Sequence, residues 1–439
     1  MRTIVESFLT FIFVLGILVF IHEFGHFIMA RLFRIKVKVF SLGFGNRLVG
    51  YRSRKSGTDY RISLIPLGGY VKLAGENPDE HDRLDYNEFL SRPRYQRFLV
   101  IVMGALFNIV LSIVLATFIF MHGIQAPALP EGTPVVEVVK EGSPGEKAGI
   151  ISGDRILEID GKKLGSLEDF TRIIFLRPDT IARIMVERGG ELMEKELSII
   201  ANPDSKYREG YTGLYFRIAY HVGEVIKGSP ADKAGLKVGD RIVGINGELV
   251  DDSKELVSRF SQSAGIPLTL LIKRGNTNIE KVVTPRNEGG RGIIGVRFEM
   301  ATKLIKKDFP GAVAESLRFA YSNMTLIFVT LKNLIRGGLS PRVFSGPIEI
   351  ASLSRESYRE GFIYFLYFIA LVSLQLGIVN LFPIPVLDGG YILILITEAA
   401  IRKDFNARVK EIIMQLGLIF LIVLTGIIIY FDIIKSFFS

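Results

Sequence analysis

The chain has 439 residues, 49% of them apolar, and a mean hydropathy of +0.34, a balance high for a soluble protein and usual for one that lives in a bilayer. It contains no cysteine, which excludes a disulfide framework, a thiolate metal site and a cysteine nucleophile, so any metal must be held by nitrogen and oxygen. The net charge of +9 would suit nucleic acid or anionic lipid, but the basic residues fall where membrane topology places them, and no nucleic-acid partner is expected.

The first predicted element is an uncharged run of 15 residues from Ser7 to Ile21, followed at once by HEFGH, His22 to His26. A helix needs about 20 residues to cross the hydrocarbon core, so this run spans only if HEFGH lies inside the helix and the helix continues through Met29. A cleaved signal peptide would carry its charge ahead of the apolar core. Here the basic cluster Arg31, Arg34, Lys36 and Lys38 follows it. From Arg31 to Arg97 there are fourteen Lys and Arg, whereas only Arg2 precedes the first span and only Lys435 follows the last. The positive-inside rule makes this loop cytoplasmic and both termini extracytoplasmic. Uncharged runs of 24 residues (Phe98 to Met121), 27 residues (Gly361 to Leu387) and 20 residues (Ile412 to Phe431) supply three further spans, four in all.

Between the second and third spans lies a repeat. SPGEKAGIISGDRILEIDG (Ser143 to Gly161) and SPADKAGLKVGDRIVGING (Ser229 to Gly247) share eleven of nineteen positions at an offset of 86 residues. Each predicts a Ser N-cap with Pro at the first helical position, a short helix closed by Gly149 or Gly235, a GD turn, a strand and a DG or NG turn. The offset is domain-sized, so two small globular modules stand in tandem. The shared stretch resembles the PDZ domains of bacterial envelope proteases, and PDZ domains bind extended peptides or chain ends by strand addition. Modules that merely space or shield something are the alternative. Next, Ala314 to Leu339 mixes apolar residues with Ser, Asn, Lys and Arg and reads as an interfacial amphipathic helix.

Two imidazoles and a carboxylate inside an apolar helix are costly, and ionisable groups at such depth are read as functional. Histidines at i and i+4 share one helix face and can bind one zinc, with Glu23 beside the metal as a base for water. Zinc lowers the pKa of its water to about 7 and polarises a carbonyl. A helix end whose polar groups satisfy one another is the bland alternative. For a third ligand, His81, His122 and His221 are poorly placed, in the cytoplasmic loop, at a membrane edge and at the start of the second module. The stretch NLFPIPVLDGG, Asn380 to Gly390, brings Asp388 to the cytoplasmic end of the third span, the side that His22 and His26 also reach. An ordinary turn aspartate is the rival reading. Pro383 and Pro385 break the helix there, and unwound backbone at membrane depth is tolerated only where it is buried or lines a wet cavity.

Together, HEFGH, NLFPIPVLDGG and the two modules resemble the site-2 protease family of intramembrane zinc metalloproteases, over nearly the whole chain. The resemblance implies that His22, His26 and Asp388 bind Zn2+, that Glu23 is the general base, and that Asn380 holds an unwound substrate backbone. SLGFG (Ser41 to Gly45) and LIPLGGYVKLAGE (Leu64 to Glu76) resemble the family's β-hairpin elements that dip into the membrane, where Gly68 and Gly69 would let substrate backbone approach. VMGALFN (Val102 to Asn108) departs from the family's frequent Gly-Pro, because Ala105 follows Gly104; the departure is expected to touch no ligand. FSGPIEIA (Phe344 to Ala351) resembles the family's stretch leading into the third span.

The expected fold is therefore an α-helical integral membrane protein with four transmembrane helices, a membrane-associated β-hairpin region and two extracytoplasmic α+β PDZ-like domains inserted between helices 2 and 3. The expected divisions are 1–122 for the first two spans and the hairpin loop, 123–210 and 211–300 for the modules, 301–360 for the interfacial helix and linker, and 361–439 for the last two spans. The expected function is zinc-dependent cleavage of single-span membrane proteins, such as a pre-cleaved anti-sigma factor or a leftover signal peptide, by a multi-pass protein of the bacterial inner membrane. Two rivals share parts of the pattern. A non-catalytic scaffold would keep the repeat without needing the four polar residues together, and a transporter would be expected to show inverted repeats among its helices. Two histidines and one aspartate would also accept iron or cobalt.

Overall fold

The computed structural model describes residues 2–76, 85–129, 132–203, 205, 207–216, 220–250, 253–275, 277–337 and 339–437. They form two compact units. One comprises Met1–Ile124, Lys306–Leu334 and Ser340–Ser439, and the other comprises Gln125–Ile305 with Ile335–Leu339.

The first unit is helical around a small sheet. α1 (Arg2–Leu32) keeps HEFGH inside a single continuous helix and ends where Arg34 turns left-handed, at φ +58°. It leads into β1 (Val37–Arg52) and β2 (Asp59–Leu73), which pair twice because each folds back along its length. Val39 to Leu42 pair with Lys72 to Gly69 on one side and with Asp59 to Ile62 on the other, while Val49 to Arg52 take Ile62 to Asp59. The stretches Gly69 to Leu73 and Arg47 to Arg52 are thus the margins of the sheet. Phe44, Leu48, Val49, Tyr51, Ile62, Leu64 and Ile65 are 44–65% exposed, an apolar face of the kind that marks a membrane contact. At its other end the sheet is anchored by Ile35, Val37 and Leu73, packed with Ala30, Phe89 and Val100. Full burial of such side chains contributes about 1.5–3 kcal/mol each.

α2 (Arg94–His122) packs on α1 where Gly25 meets the Met103 carbonyl; a Cβ on Gly25 would lie 2.3 Å from that oxygen. Small residues are what allow helix backbones so close in a bilayer.

The second unit holds the repeat. α3 (Pro144–Lys147) and α4 (Leu167–Phe175) belong to the first module, α5 (Pro230–Lys233) and α6 (Ser253–Gln262) to the second. The expected caps are present: the Ser143 and Ser229 side chains accept the N–H groups of Glu146 and Asp232. A five-stranded sheet runs through the first module and a four-stranded sheet through the second. Each Asp of the GD turns is fully buried, and each is gripped by two guanidinium nitrogens: Asp154 by Arg188 and Asp240 by Arg274, at 2.7 and 2.8 Å in both cases. Burial by itself would raise both carboxyl pKa values, but these bonds, with the N–H groups of Ile151 and Lys237, outweigh it and hold them below the ordinary value. The two arginines continue the repeat at the same offset, a correspondence the shorter match does not reach.

One boundary moves. The strand Leu214–Phe216 pairs with Val136–Val139, and Leu214 joins a core of Val136, Ile156, Ile184 and Leu197, so the first module extends beyond 210 through Phe216. The second core, with Val222, Ile242, Leu270 and Ile294, starts only after it.

The chain returns to the first unit in α7 (Phe309–Ile335), which begins five residues before the expected amphipathic segment. It touches α2 through a 2.9 Å Thr117–Ser316 hydroxyl contact and leaves Leu317, Tyr321 and Phe328 exposed. α8 (Pro347–Glu360), α9 (Phe362–Asn380), α10 (Asp388–Ile401) and α11 (Ala407–Phe437) complete it. The start of α8 is capped from a distance: Asp432 on α11 accepts the Ile348 N–H at 2.8 Å, and Lys435 donates to the Phe344 carbonyl and to Glu349, each at 2.8 Å. Gly346 in FSGP leaves the room that the Asp432 carboxyl fills.

Among the described residues, four helical segments are long and apolar enough to cross a membrane: Val5–Leu32, Arg94–His122, Phe362–Asn380 and Ala407–Lys435. The 27-residue run expected as the third span is therefore not one helix. α9 stops at Asn380, because Pro383 and Pro385 can neither donate to nor fit a continuing helix.

Candidate metal centre

The centre is built where α1, α2, α9 and α10 meet. The i, i+4 spacing puts His22 and His26 on one face of α1, with rings nearly perpendicular, at 85°, and 4.8 Å between centroids. Asp388 reaches them because the chain reverses between α9 and α10. In that reversal Val386 takes φ +82°, a conformation costly for a β-branched residue. Gly389 and Gly390 then let the first turn of α10 rest directly on the preceding backbone; Cβ atoms there would lie 2.2 Å from the Phe382 carbonyl oxygen and 2.3 Å from that of Ile384. The Asp-Gly-Gly of the sequence is a packing device as well as a turn.

The donor atoms converge. His22 Nε2 and His26 Nε2 are 3.2 Å apart, and Asp388 oxygens lie 3.3 Å from the first and 3.6 Å from the second. Ligands at the corners of a tetrahedron with metal bonds of about 2.0–2.1 Å are separated by about 3.3–3.4 Å. The two nitrogens stand at such an edge, Asp388 turns Oδ2 toward His22 and Oδ1 toward His26, and one donor atom from each of the three residues lies within 4.8 Å of the other two, a triangle small enough to share one ion. His26 Nδ1 donates to the Val100 carbonyl at 2.8 Å, which leaves the lone pair on Nε2, the atom in the triangle. Asp388 Oδ2 is buried without a hydrogen-bond donor among the described residues, an acceptor fitted to a cation. The three side chains are only 13–17% exposed. The residues fit zinc.

The other predicted residues surround this triangle. Glu23, half-buried, lies next to His22 in sequence and against the Val71 backbone N–H at the sheet margin. Asn380 ends α9 with its carboxamide 3.4 Å from His22 Nδ1, in position to orient that ring. Gly69 packs against α1, where a Cβ would meet Val19 at 2.8 Å and the Glu23 Cγ at 3.2 Å. Gly68, at φ +148°, lies under the Phe44 ring. Of the alternative ligands, His81 lies outside the described residues, His122 is the last residue of α2 and His221 is on the strand Tyr220–Val225; neither of the latter two is in the cluster.

Sequence reasoning missed Gly104. It lies in the VMGALFN stretch, one residue before the Ala105 departure, and a Cβ there would be 2.3 Å from His26 Nε2 and 3.0 Å from His22 Cε1. The available signal was a pair of glycines, Gly25 and Gly104, in two apolar helices.

A glutamate beside such a cluster, set among helices of membrane length, defines a multi-pass membrane metalloprotease. The chain belongs to Peptidase family M50, the site-2 proteases, whose family model matches residues 10–424. "Protease RseP" of Yersinia pestis is 33% identical over 98% of this chain and 99% of its own length. The "Regulator of sigma E protease" of Haemophilus influenzae is 32% identical over 97% and 98%. A Vibrio cholerae protein named "Putative zinc metalloprotease" is 31% identical over 95% and 96%. The family, these relatives and the four membrane-length helices make the chain a multi-pass inner-membrane metalloprotease of the regulated intramembrane proteolysis class. Among solved structures, the PDZ domain of an SdrC-like protein from Listeria monocytogenes is similar over 21% of this chain and 93% of its own, at 23% identity and a TM-score of 0.18.

Proposed function

We propose that the chain is a zinc endopeptidase that hydrolyses a peptide bond within or near the transmembrane segment of a single-span membrane protein already shortened by another protease. The observation that carries this reading is the convergence of donor atoms of His22, His26 and Asp388 to within 4.8 Å of one another inside a membrane-length bundle. In it, His22, His26 and Asp388 hold the zinc. When bound, zinc polarises the scissile carbonyl and acidifies water. Glu23 takes the proton from the attacking water and passes it to the departing amine nitrogen. Asn380 presents its amide nitrogen to His22 Nδ1 at 3.4 Å; once Nε2 is given to zinc and the ring proton sits on Nδ1, the carboxamide turns over, its carbonyl accepts that N–H and its NH2 is left for a substrate carbonyl. Gly69 seats the sheet margin beside Glu23, and Gly68 turns the strand into it. There an unwound substrate can add as a further strand. Both termini and the repeat modules face outward, and the metal lies toward the cytoplasmic side, as the basic loop from Arg31 to Arg97 directs.

The test is cleavage of a short single-span substrate by purified protein in detergent. Stripping the metal should abolish cutting and stoichiometric zinc should restore it. Full activity in metal-free protein would sink the reading.

The two modules act as PDZ-like domains that spare intact partners with bulky outer domains. Deleting residues 132–303 should let the enzyme cut full-length partners that the wild type leaves whole. An unchanged substrate range in a deletion variant that still cuts the short substrate would remove the filter.

A further inference from the structure

We propose that Asn108 and Ser112 of α2 hold a resident internal water one to two helical turns from the metal centre, a second source of the molecule consumed in each cut. The proposal rests on the zinc-peptidase reading above. Asn108, Ser112 and Ser373 are all fully buried. Neither the Asn108 Nδ2 nor its Oδ1, nor the Ser112 Oγ, has a hydrogen-bond partner among the described residues. Ser373 Oγ donates to the Asn108 backbone carbonyl at 2.8 Å, which fixes α9 against α2 beside these groups. An amide and a hydroxyl left dry at membrane depth are strongly disfavoured, so a small polar molecule must pair with them.

The spacing selects water. Side chains at i and i+4 stand about 5–6 Å apart at Cβ, which suits one bridging molecule. An asparagine amide and a serine hydroxyl offer the three or so bonds that a buried water takes. No charged side chain is among these groups to favour an ion. Gly377 closes one side, where a Cβ would touch Ile109 at 2.9 Å and Asn108 at 3.3 Å.

Position gives the site its use. Gly104, one turn of about 5.4 Å before Asn108, is the residue whose Cβ would strike His26. Hydrolysis breaks the C–N bond, forms a C–O bond from one water and sends one of its protons to the amine nitrogen. A substrate strand laid over the site obstructs the route from bulk solvent, and a molecule already inside does not have to cross it.

Pulsed X-ray radiolysis in 18O-labelled water, read by mass spectrometry, generates hydroxyl radicals from bound water and marks its neighbours. Leu374 and Ile378, only 2% and 4% exposed, are shielded from bulk radicals and flank Ser373 and Gly377. In wild type both should acquire label, and in Asn108→Leu the label should fall about tenfold, with kcat lowered to a similar degree at unchanged zinc content and KM. Ser112→Ala, which removes one bond and little volume, should give an intermediate loss in both readouts. Absence of label in wild type would mean that Asn108 and Ser112 pair with each other without water, and equal label in Asn108→Leu would mean that the radicals come from water held elsewhere; either result overturns the site. Label lost with kcat intact would overturn the supply role. Failure of the zinc reading shows separately, as missing metal with the label unaffected.

Discussion

Glu23→Gln should bind zinc as the wild type does and cut at least about 100-fold more slowly. The cluster closes without Glu23: the three atoms that converge belong to His22, His26 and Asp388, and Glu23 faces the Val71 N–H on the sheet margin instead. Glutamine keeps the shape and can still meet that backbone group, but it cannot accept a proton from water. General-base catalysis contributes about 10²–10⁴-fold, so single-turnover cleavage of a shortened single-span substrate should fall by at least the lower end of that range. Metal content by mass spectrometry should stay at one per chain. Equal cleavage by both proteins would place the chemistry elsewhere, and loss of metal would make Glu23 a ligand.

Gly104→Ala should empty the site without unfolding the bundle. The new methyl carbon would stand 2.3 Å from His26 Nε2 and 2.5 Å from its Cε1. Something must shift, and α2 is held against α1 by the Gly25 contact and against α9 by Gly377 on the Ala105 carbonyl. The imidazole is the part that yields, and its Nδ1 bond to Val100 goes with it. Disturbing a group that orients a metal ligand typically costs 10–100-fold in affinity or activity, and about 100-fold is expected here because both histidines are touched. Gly16→Ala is the matched control, since it lies in the same helix as HEFGH and its Cβ meets nothing within 4 Å. It should change neither zinc affinity nor activity; if Gly104→Ala behaves the same way, the close packing drawn around the histidines is wrong.

Not every part of the site was equally legible. The pairing of His22 with His26 follows from 3.6 residues per turn, a local rule that needs no partner. The joining of Asp388 followed from counting spans and asking which side each end reaches. The expected end of the third span was too late, because hydropathy continues through Leu387 while the two prolines stop the hydrogen-bond ladder at Asn380. The first module's boundary was too early, because a strand can pair with one 75 residues or more before it, as Leu214 does with Val139. Arg188 and Arg274 were readable by extending the repeat at its own offset, and that signal was simply beyond the matched window.

Composition, periodicity and motif alone determined that this chain has four membrane-length apolar segments, a duplicated module and a nitrogen-and-oxygen metal motif within a helix, because each depends on neighbours in sequence. The tertiary structure decided the rest. It placed the Val100 carbonyl behind His26 and Asn380 behind His22, made Gly104 the floor of the site, and left Asn108 and Ser112 polar and sealed between α2 and α9. These facts depend on how closely helices distant in sequence approach one another. That distance is set by side-chain volume on both faces of each contact, and one strand of sequence never states both faces together.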